Sequence, residues 1–266
     1  MPDHSIVALL TDFGTDDSYV AEMKGVMLSL NRDLRFVDIT HSTQPGDIRQ
    51  AAYLLWRSHA RFPNGTIFLS VVDPGVGGDR GILLLQTNEH IFIAPDNGLL
   101  TLIANEREHS AWEVTKGHVI AETVSTTFHG RDIMAPICAQ LSLGSMNPSD
   151  FGPRLQEIVK FNLAGLTATA SSIEGEVIFI DRFGNAITNI PSEQLTELGE
   201  SSGIRLFIGQ DTIGAISKTY SSVKEGETVA YIGSAGLIEL AINSGDFAKR
   251  FAVKPGDTVR VVRDEE

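Results

Sequence analysis

Cysteine is almost absent from this chain of 266 residues, which contains Cys138 alone. A single thiol cannot form an internal disulfide, which argues against a small secreted domain held together by disulfides. The N-terminal residues also lack the basic segment and the longer apolar run of a signal peptide. We therefore expect a cytoplasmic protein.

Positive charge is scarce as well, since 21 Lys and Arg residues stand against 34 Asp and Glu residues. The formal net charge is −13. Nucleic-acid-binding proteins carry a basic surface, and anionic membranes attract clustered Lys and Arg. No apolar run approaches the length of a membrane span. We therefore expect neither a nucleic acid nor a membrane as partner.

Several motifs of well-known chemistry are missing from the sequence. It has no His-Glu-x-x-His motif and no cysteine pair, so it predicts no metal site. The glycine turn at 74–81 lacks the Gly-Lys-Ser/Thr ending of a phosphate loop and does not fit the dinucleotide fingerprint. No segment resembles the nucleophile elbow of a Ser-His-Asp hydrolase. These absences leave polar side chains on other loops as the candidate functional residues.

In roughly the first 155 residues, short apolar runs alternate with amphipathic segments. The run at 5–10 predicts a short buried strand, the runs at 34–40 and 66–73 predict two further strands, and apolar residues at helical spacing predict helices after Tyr19 and Ile48. Strands that alternate with helices are typical of a parallel sheet covered on both faces. We therefore predict an α/β domain with a mostly parallel sheet and helices on both of its faces.

The pattern changes after about residue 155. Many short strands follow, separated by Gly, Asp or Asn, and this pattern is typical of a small sandwich or barrel. We therefore predict a small all-β, barrel-like domain at the C-terminus. We place the two domains at 1–160 and 168–266, with the boundary in the segment 157–168.

Two carboxylates follow the first predicted strand, in the segment TDFGTDD at 11–17. Ligands of open parallel sheets bind beyond the carboxyl ends of the strands, which is where Asp12 and Asp17 lie. Carboxylates repel phosphate but suit sugar hydroxyls or an ammonium group. The alternative is local: Asp12 caps the turn and Asp17 caps the first helix.

Asp73 and Arg80 flank the glycine turn in VVDPGVGGDRG at 71–81. The turn can fold back and join the two side chains in a bidentate ion pair. The alternative is an ordinary ion pair on a surface loop. His129 lies just before a predicted helix in TTFHGRD at 126–132, and a lone histidine of this kind is often structural.

Two turns of the second domain carry side chains suited to binding a ligand. In DRFGNAITN at 181–189, Phe183 offers a stacking face and Asn185 an amide that can read the edge of adenine. Ser234, in a glycine turn, can bind a carboxylate through its hydroxyl and nearby backbone amides. The alternative is two tight hairpins without a ligand.

Seven segments of the sequence together resemble one family of enzymes, the S-adenosyl-L-methionine (SAM) hydrolases. These are also called SAM hydroxide adenosyltransferases and are related to the fluorinating and chlorinating SAM enzymes. The segments extend over nearly the whole chain and both predicted domains. In order, they are TDFGTDDSYVAEMKG, DITH, FLSVVDPGVGGDR, FIAPDNGLL, TFHGRDIMAP, IDRFGNAITNI and SAGLIELAINSG.

The resemblance implies an enzyme that cleaves SAM with water. An oriented water or hydroxide attacks ribose C5′, and the products are adenosine and L-methionine. The resemblance implies no metal or redox cofactor, and SAM is the substrate. It also implies a homotrimer in which each site lies between neighbouring subunits.

The resemblance also implies a role for each candidate residue. Asp73, Arg80 and His129 position the water, and either Asp73 or His129 accepts its proton. Asp12 binds the ribose hydroxyls. The methionine end is surrounded by Asp17, Asp181 and Ser234. The adenine is surrounded by Phe183, Asn185 and Tyr220.

Two departures from the halogenating relatives favour hydrolysis over halogenation. Those relatives carry a tyrosine where this chain has Asp73, and a serine where it has Gly130. A fixed carboxylate beside the nucleophile repels a halide ion. A SAM-dependent chlorinase is therefore the weaker alternative. A non-catalytic SAM or adenosine sensor, the other alternative, needs the binding residues but not Asp73, Arg80 and His129.

Overall fold

The computed structural model describes residues 5–115, 123–163, 165–198 and 203–263. The chain forms two compact units, Met1–Phe161 (the N-terminal unit) and Asn162–Glu266 (the C-terminal unit). Each unit has its own sheet and its own hydrophobic core, and the fold is mixed α/β. No helix in the described ranges has both the length and the apolar character needed to cross a membrane.

Seven strands of the N-terminal unit form one mixed sheet. They are β1 (Ile6–Thr11), β2 (Arg35–Thr40), β3 (Ile67–Val71), β4 (Ile82–Gln86), β5 (Ile91–Pro95), β6 (Ser110–Glu113) and β7 (Arg154–Leu155). Their order across the sheet is β2-β1-β3-β5-β4-β6-β7. The strands β2, β1, β3 and β5 pair in parallel, as predicted. The pairings of β4, β6 and β7 are antiparallel, so the prediction of a mostly parallel sheet is confirmed only for the other four strands.

Helices cover both faces of this sheet, as predicted. They are α1 (Tyr19–Leu30), α2 (Ile48–His59), α3 (Thr101–Glu106) and α4 (Ala135–Ser142), with a π-helical turn at Gly130–Met134 before α4. Alternate residues of β1 separate two cores, because Val7 and Leu9 pack with α1 and α4, whereas Leu10 packs with α2 and α3. Burial on both faces explains why β1, β3 and β5 are nearly continuous apolar runs.

The carboxyl ends of the four parallel strands lie at one edge of the sheet. These strands end at Thr11, Thr40, Val71 and Pro95. The loops that follow are therefore neighbours, and Gly14 N donates to His41 O at 2.7 Å between two of them. This edge is where the sequence places the polar residues of the first domain.

The C-terminal unit consists mainly of short strands. They are β8 (Thr167–Ala168), β9 (Ser172–Ile180), β10 (Ala186–Pro191), β11 (Ile204–Ile208), β12 (Asp211–Gly214), β13 (Ile216–Ser217), β14 (Thr228–Ile232), β15 (Leu237–Ile242) and β16 (Thr258–Arg263), with α5 (Ser192–Leu198) and α6 (Phe247–Phe251). The sheet order is β12-β11-β16-β9-β10-β15-β14-β13, and β8 pairs with β9. Because β12 also packs against β14, the sheet curls back on itself and is nearly barrel-shaped, as predicted.

Two histidines are buried in the N-terminal unit, where His59 ends α2 and His90 directly precedes β5. Their exposed fractions are 2% and 3%, and both rings contact Phe92. Burial is the main reason why the pKa values of both histidines are lowered, and the neighbouring His59 lowers the pKa of His90 further. The carboxylates of Glu89 and Glu106 act in the opposite direction but more weakly. Both rings are therefore neutral in the folded protein at pH 7.

Lowering the pH below about 6.5 should destabilise the folded protein, because histidines of the unfolded chain take up protons before these buried ones do. Each of the two should remove up to about 1.4 kcal/mol of unfolding free energy per pH unit until its own lowered pKa is reached. Urea unfolding between about pH 7.5 and 5.5 measures this loss. His90→Gln should lose less stability over this range than the wild type, whereas a control at half-buried His109 (His109→Gln) should match the wild type. Equal losses in all three proteins would contradict the prediction.

Candidate active site

Asp73 and Arg80 form a buried ion pair at the carboxyl edge of the N-terminal sheet. β3 ends at Val71, so Asp73 lies just beyond the strand. Arg80 Nε lies 2.9 Å from each carboxylate oxygen of Asp73, and Arg80 Nη2 also donates to Oδ2. The side chains of Asp73 and Arg80 are only 5% and 11% exposed. This is therefore not an ordinary surface ion pair, and loss of one partner would leave the other buried and uncompensated.

The turn that brings Arg80 back to Asp73 depends on Gly77. This residue adopts φ +77°, a left-handed conformation that favours glycine. A Cβ at Gly77 would lie 2.3 Å from the carbonyl oxygen of Thr126, so no larger residue fits there. The close approach holds the turn against the segment that leads to His129.

His129 completes a hydrogen-bonded triad with Arg80 and Asp73. Arg80 Nη2 lies 2.9 Å from His129 Nδ1. A guanidinium only donates hydrogen bonds, so Nδ1 must accept and the neutral ring must carry its proton on Nε2. Burial first, and then the charge of Arg80, lower the pKa of His129, and neighbouring carboxylates raise it by less. His129 is therefore neutral at pH 7 and offers an Nε2–H donor.

Hydrogen bonds anchor the segment that carries His129. Asp132 Oδ2 accepts from Ser125 N at 2.8 Å, which ties the π-helical turn to the residues before it. Arg131 Nη1 donates to Glu22 Oε2 of α1, also at 2.8 Å. The imidazole therefore projects from a segment that is fixed both to its own preceding residues and to a neighbouring helix.

Asp12 and Asp17 have different surroundings at the same edge. Asp12 directly follows β1, is half-buried, and accepts a hydrogen bond at Oδ2 from Gly46 N at 2.8 Å. Asp17 is exposed, and no residue of the described ranges forms a hydrogen bond or ion pair with it. The N-cap residue of α1 is Ser18, so the alternative that Asp17 caps this helix is wrong. In the described part of the chain, no group of three or more His, Cys, Asp or Glu side chains is arranged to hold a metal ion.

Asp181 organises the turn between β9 and β10 in the C-terminal unit. Its Oδ1 accepts from the backbone N of Phe183 at 2.8 Å and of Asn185 at 2.9 Å. Its Oδ2 accepts from Asn185 Nδ2 at 2.8 Å. About one of the roughly four lone-pair directions of this carboxylate is left for a ligand. The same hydrogen bonds hold buried Asn185 close to Phe183, which is 74% exposed.

A cavity of about 480 Å³ opens beside this turn. Its lining brings together the three residues that the family resemblance assigns to adenine, Phe183, Asn185 and Tyr220. An exposed aromatic ring on the wall of an open cavity suits stacking with a base. Residues 242–245, which are the last residue of β15 and the Asn-Ser-Gly turn after it, complete the lining. They end the segment SAGLIELAINSG, but the family resemblance assigns none of them a role.

Ser234 does not line this cavity. It is exposed in the turn at 233–236 that joins β14 to β15, whereas cavity residue Asn243 follows the opposite end of β15. The structure thus brings Phe183, Asn185 and Tyr220 together but does not bring Ser234 to them. The assignment of Ser234 to the methionine end stays a prediction.

Comparisons with known proteins match both units of the chain to one family. Residues 7–152 match the SAM hydroxide adenosyltransferase N-terminal domain, and residues 175–260 match the SAM hydroxide adenosyltransferase C-terminal domain. An (R)-S-adenosyl-L-methionine hydrolase from Thermus thermophilus is 37% identical over 96% of this chain and 99% of its own. A fluorinase from Nocardia brasiliensis is 32% identical over 96% of each chain. A crystal structure of a conserved protein from Thermotoga maritima has a TM-score of 0.90 at 34% identity, covering 97% of this chain and 100% of that chain. The chain belongs to the SAM hydroxide adenosyltransferase family.

Proposed function

We propose that this protein is an enzyme that hydrolyses SAM to adenosine and L-methionine. Membership of the family and the name of the Thermus thermophilus relative support this activity. That name specifies the R form of SAM, which we take as the substrate. The structural observation that supports the proposal most is the hydrogen-bonded triad of Asp73, Arg80 and His129. We propose no metal or redox cofactor.

The proposed reaction exchanges one bond at ribose C5′ for another. The water oxygen forms a bond to C5′, the C5′–S bond breaks, and its electron pair passes to sulfur, which becomes the thioether of methionine. One proton of the water goes to a base. The sulfonium is already a good leaving group, so the enzyme mainly has to orient and desolvate the water and accept this proton.

Asp73 is the proton acceptor in this mechanism. His129 Nδ1 already accepts a hydrogen bond from Arg80 and its Nε2 carries a proton, so the neutral ring has no free acceptor. His129 instead donates from Nε2 to the water oxygen. Arg80 holds the carboxylate of Asp73 in one orientation through its Nε and Nη2 groups.

Polar residues outside the triad bind the substrate in this proposal. Half-buried Asp12 binds the ribose hydroxyls. Phe183 stacks on the adenine ring, and Asn185 and Tyr220 lie at its edge. The residues proposed for the methionine end are Asp17, Asp181 and Ser234.

We further propose a cytoplasmic homotrimer in which neighbouring subunits form each active site. The resemblance to the family supports the trimer, and the single thiol of the chain supports a reducing compartment. The excess of acidic residues argues against nucleic acids and membrane surfaces as partners.

Incubation of the purified protein with SAM in heavy-oxygen water tests the proposed activity. We expect equal amounts of adenosine and methionine by chromatography, with the heavy oxygen in the 5′-hydroxyl of adenosine, because water attacks C5′. Chloride is varied in the same assay. A 5′-chlorinated nucleoside would instead indicate a chlorinase, and tight binding of SAM without products would indicate a sensor.

A further inference from the structure

A chain of hydrogen bonds runs from the cavity of the C-terminal unit into its interior. Asn185 Nδ2 donates to Tyr220 Oη at 3.2 Å, and Tyr220 Oη shares a hydrogen bond with Tyr231 Oη. Tyr231 Oη in turn donates to Glu239 Oε2 at 2.5 Å. Tyr231 and Glu239 are only 6% and 8% exposed, and neither lines the cavity. Tyr220 therefore links the two buried residues to the cavity.

The carboxylates at the two ends determine where every proton in this chain lies. Glu239 accepts from Tyr231, so Tyr231 has used its one proton and must accept from Tyr220. Tyr220 has then used its own proton and accepts from Asn185 Nδ2. The second N–H of this amide goes to Asp181 Oδ2 at 2.8 Å. Both N–H groups of Asn185 are thus engaged, and its Oδ1, which has no partner among the described residues, is left as an acceptor.

The fold holds the buried half of the chain firmly. Tyr231 and Glu239 lie opposite each other in the antiparallel pair β14–β15, so their side chains share one face. A Cβ at Gly233 would lie 1.9 Å from Glu239 Oε1, so glycine there leaves room for the carboxylate. Burial raises the pKa of Tyr231, and the hydrogen bond to Glu239 raises it further, so the hydroxyl keeps its proton.

We propose that Tyr231 and Glu239 are positioning residues that make the purine site select a 6-amino group over a 6-oxo group. The inference rests on the proposed function, which puts adenine in this cavity. An amino group can donate to the free acceptor of Asn185, whereas a 6-oxo group would place a second acceptor against it. Tyr220 cannot relieve this mismatch, because its proton is committed to Tyr231.

Calorimetry with adenosine and inosine, which carries the 6-oxo group, tests the inference on the wild type and on Tyr231→Phe. The wild type should bind adenosine about tenfold or more tightly than inosine. In Tyr231→Phe, Tyr220 regains a proton for the ligand, so this ratio should fall by about fivefold or more. The KM for SAM should rise, while kcat should change by less than about twofold, because the reacting atoms are not touched.

Tyr19→Phe is the matched control, since it removes a tyrosine hydroxyl of the N-terminal unit that takes no part in this chain of hydrogen bonds. It should keep the wild-type ratio of adenosine affinity to inosine affinity. Glu239→Gln is the second variant in case Tyr231→Phe does not fold. Its amide can donate as well as accept, so the ratio should fall here too. If a variant binds both nucleosides more weakly by the same factor, so that the ratio of their affinities is unchanged, the role of these residues is merely structural and the inference is overturned. If the wild-type protein neither binds adenosine nor cleaves SAM, both the proposed function and this inference are overturned. If it cleaves SAM but binds both nucleosides equally, this inference alone is overturned.

Discussion

Replacement of Asp73 by asparagine should lower kcat for SAM hydrolysis by roughly 100-fold or more, the scale of a positioned acid–base group. Asparagine keeps the shape of the side chain but offers a weakly basic amide in place of the proton acceptor. It also removes the charge that Arg80 binds through Nε and Nη2, and Arg80 in turn holds His129. In the proposed mechanism Asp73 does not contact the recognition groups of SAM. The dissociation constant for SAM should therefore change by less than about threefold.

Asp79→Asn is the control for this variant. Asp79 lies in the same glycine turn, is exposed, and forms no hydrogen bond or ion pair with any residue that the structure describes. It should keep the wild-type kcat, which separates the loss of one carboxylate from a general change in charge. Because the Asp73–Arg80 pair is buried, thermal unfolding of both variants is measured beside steady-state kinetics and calorimetry. A folded Asp73→Asn protein with normal turnover would show that another group accepts the proton.

The strands β1 and β3 of the N-terminal unit can be predicted because burial on both faces leaves continuous apolar runs. The predicted strands at 5–10 and 66–73 correspond to β1 and β3. Apolar character does not reveal strand direction, because the antiparallel strand β4, with the sequence ILLLQ, is as apolar as β1 and β3. Hydrophobic pattern cannot distinguish a parallel strand from an antiparallel one. The sequence feature that indicates an antiparallel pairing is the short connection 87–90 between β4 and β5, because it leaves no room for a crossover helix.

The candidate active site is predictable only where it is local. Asp73 and Arg80 lie in one turn, seven residues apart, so their pairing follows from the sequence of that turn. His129 is 49 residues from Arg80, and its approach depends on the packing of Gly77 against Thr126. The sequence therefore indicates His129 as a candidate, but only tertiary packing shows that its Nδ1 faces the guanidinium of Arg80.

The buried hydrogen-bond chain of the C-terminal unit is harder to predict from sequence. Tyr231 and Glu239 each look like ordinary strand residues. Glu239 lies in the segment SAGLIELAINSG, but the family resemblance assigns no role to either residue. They become neighbours because the turn at 233–236 sets the register of β14 against β15. Tyr220 then joins them from a separate short 3₁₀ helix, Tyr220–Ser222, whose position no local pattern specifies.

Two inactive variants should restore each other's activity when their subunits mix, if neighbouring subunits form each site as proposed. The first is Asp73→Asn, which disables the N-terminal unit. The second combines Phe183→Ala with Asn185→Ala and disables the cavity of the C-terminal unit. In an equimolar random mixture, about a quarter of the sites combine an intact N-terminal unit with an intact C-terminal unit. Activity should therefore rise from about 1% or less to about a quarter of the wild-type value.

The two variants are co-expressed at equal levels, all trimers are purified without selection for either variant, and native mass spectrometry confirms that the chains have mixed. A control mixture pairs Asp73→Asn with Arg80→Ala, which both disable the N-terminal unit. No site in that mixture can be complete, so it should stay inactive wherever the sites are formed. If a single chain formed each complete site, the test mixture would stay as inactive as the control, and the shared site would be wrong. Recovery in the test mixture alone would show that the triad and the adenine cavity act together on one substrate, each contributed by a different subunit.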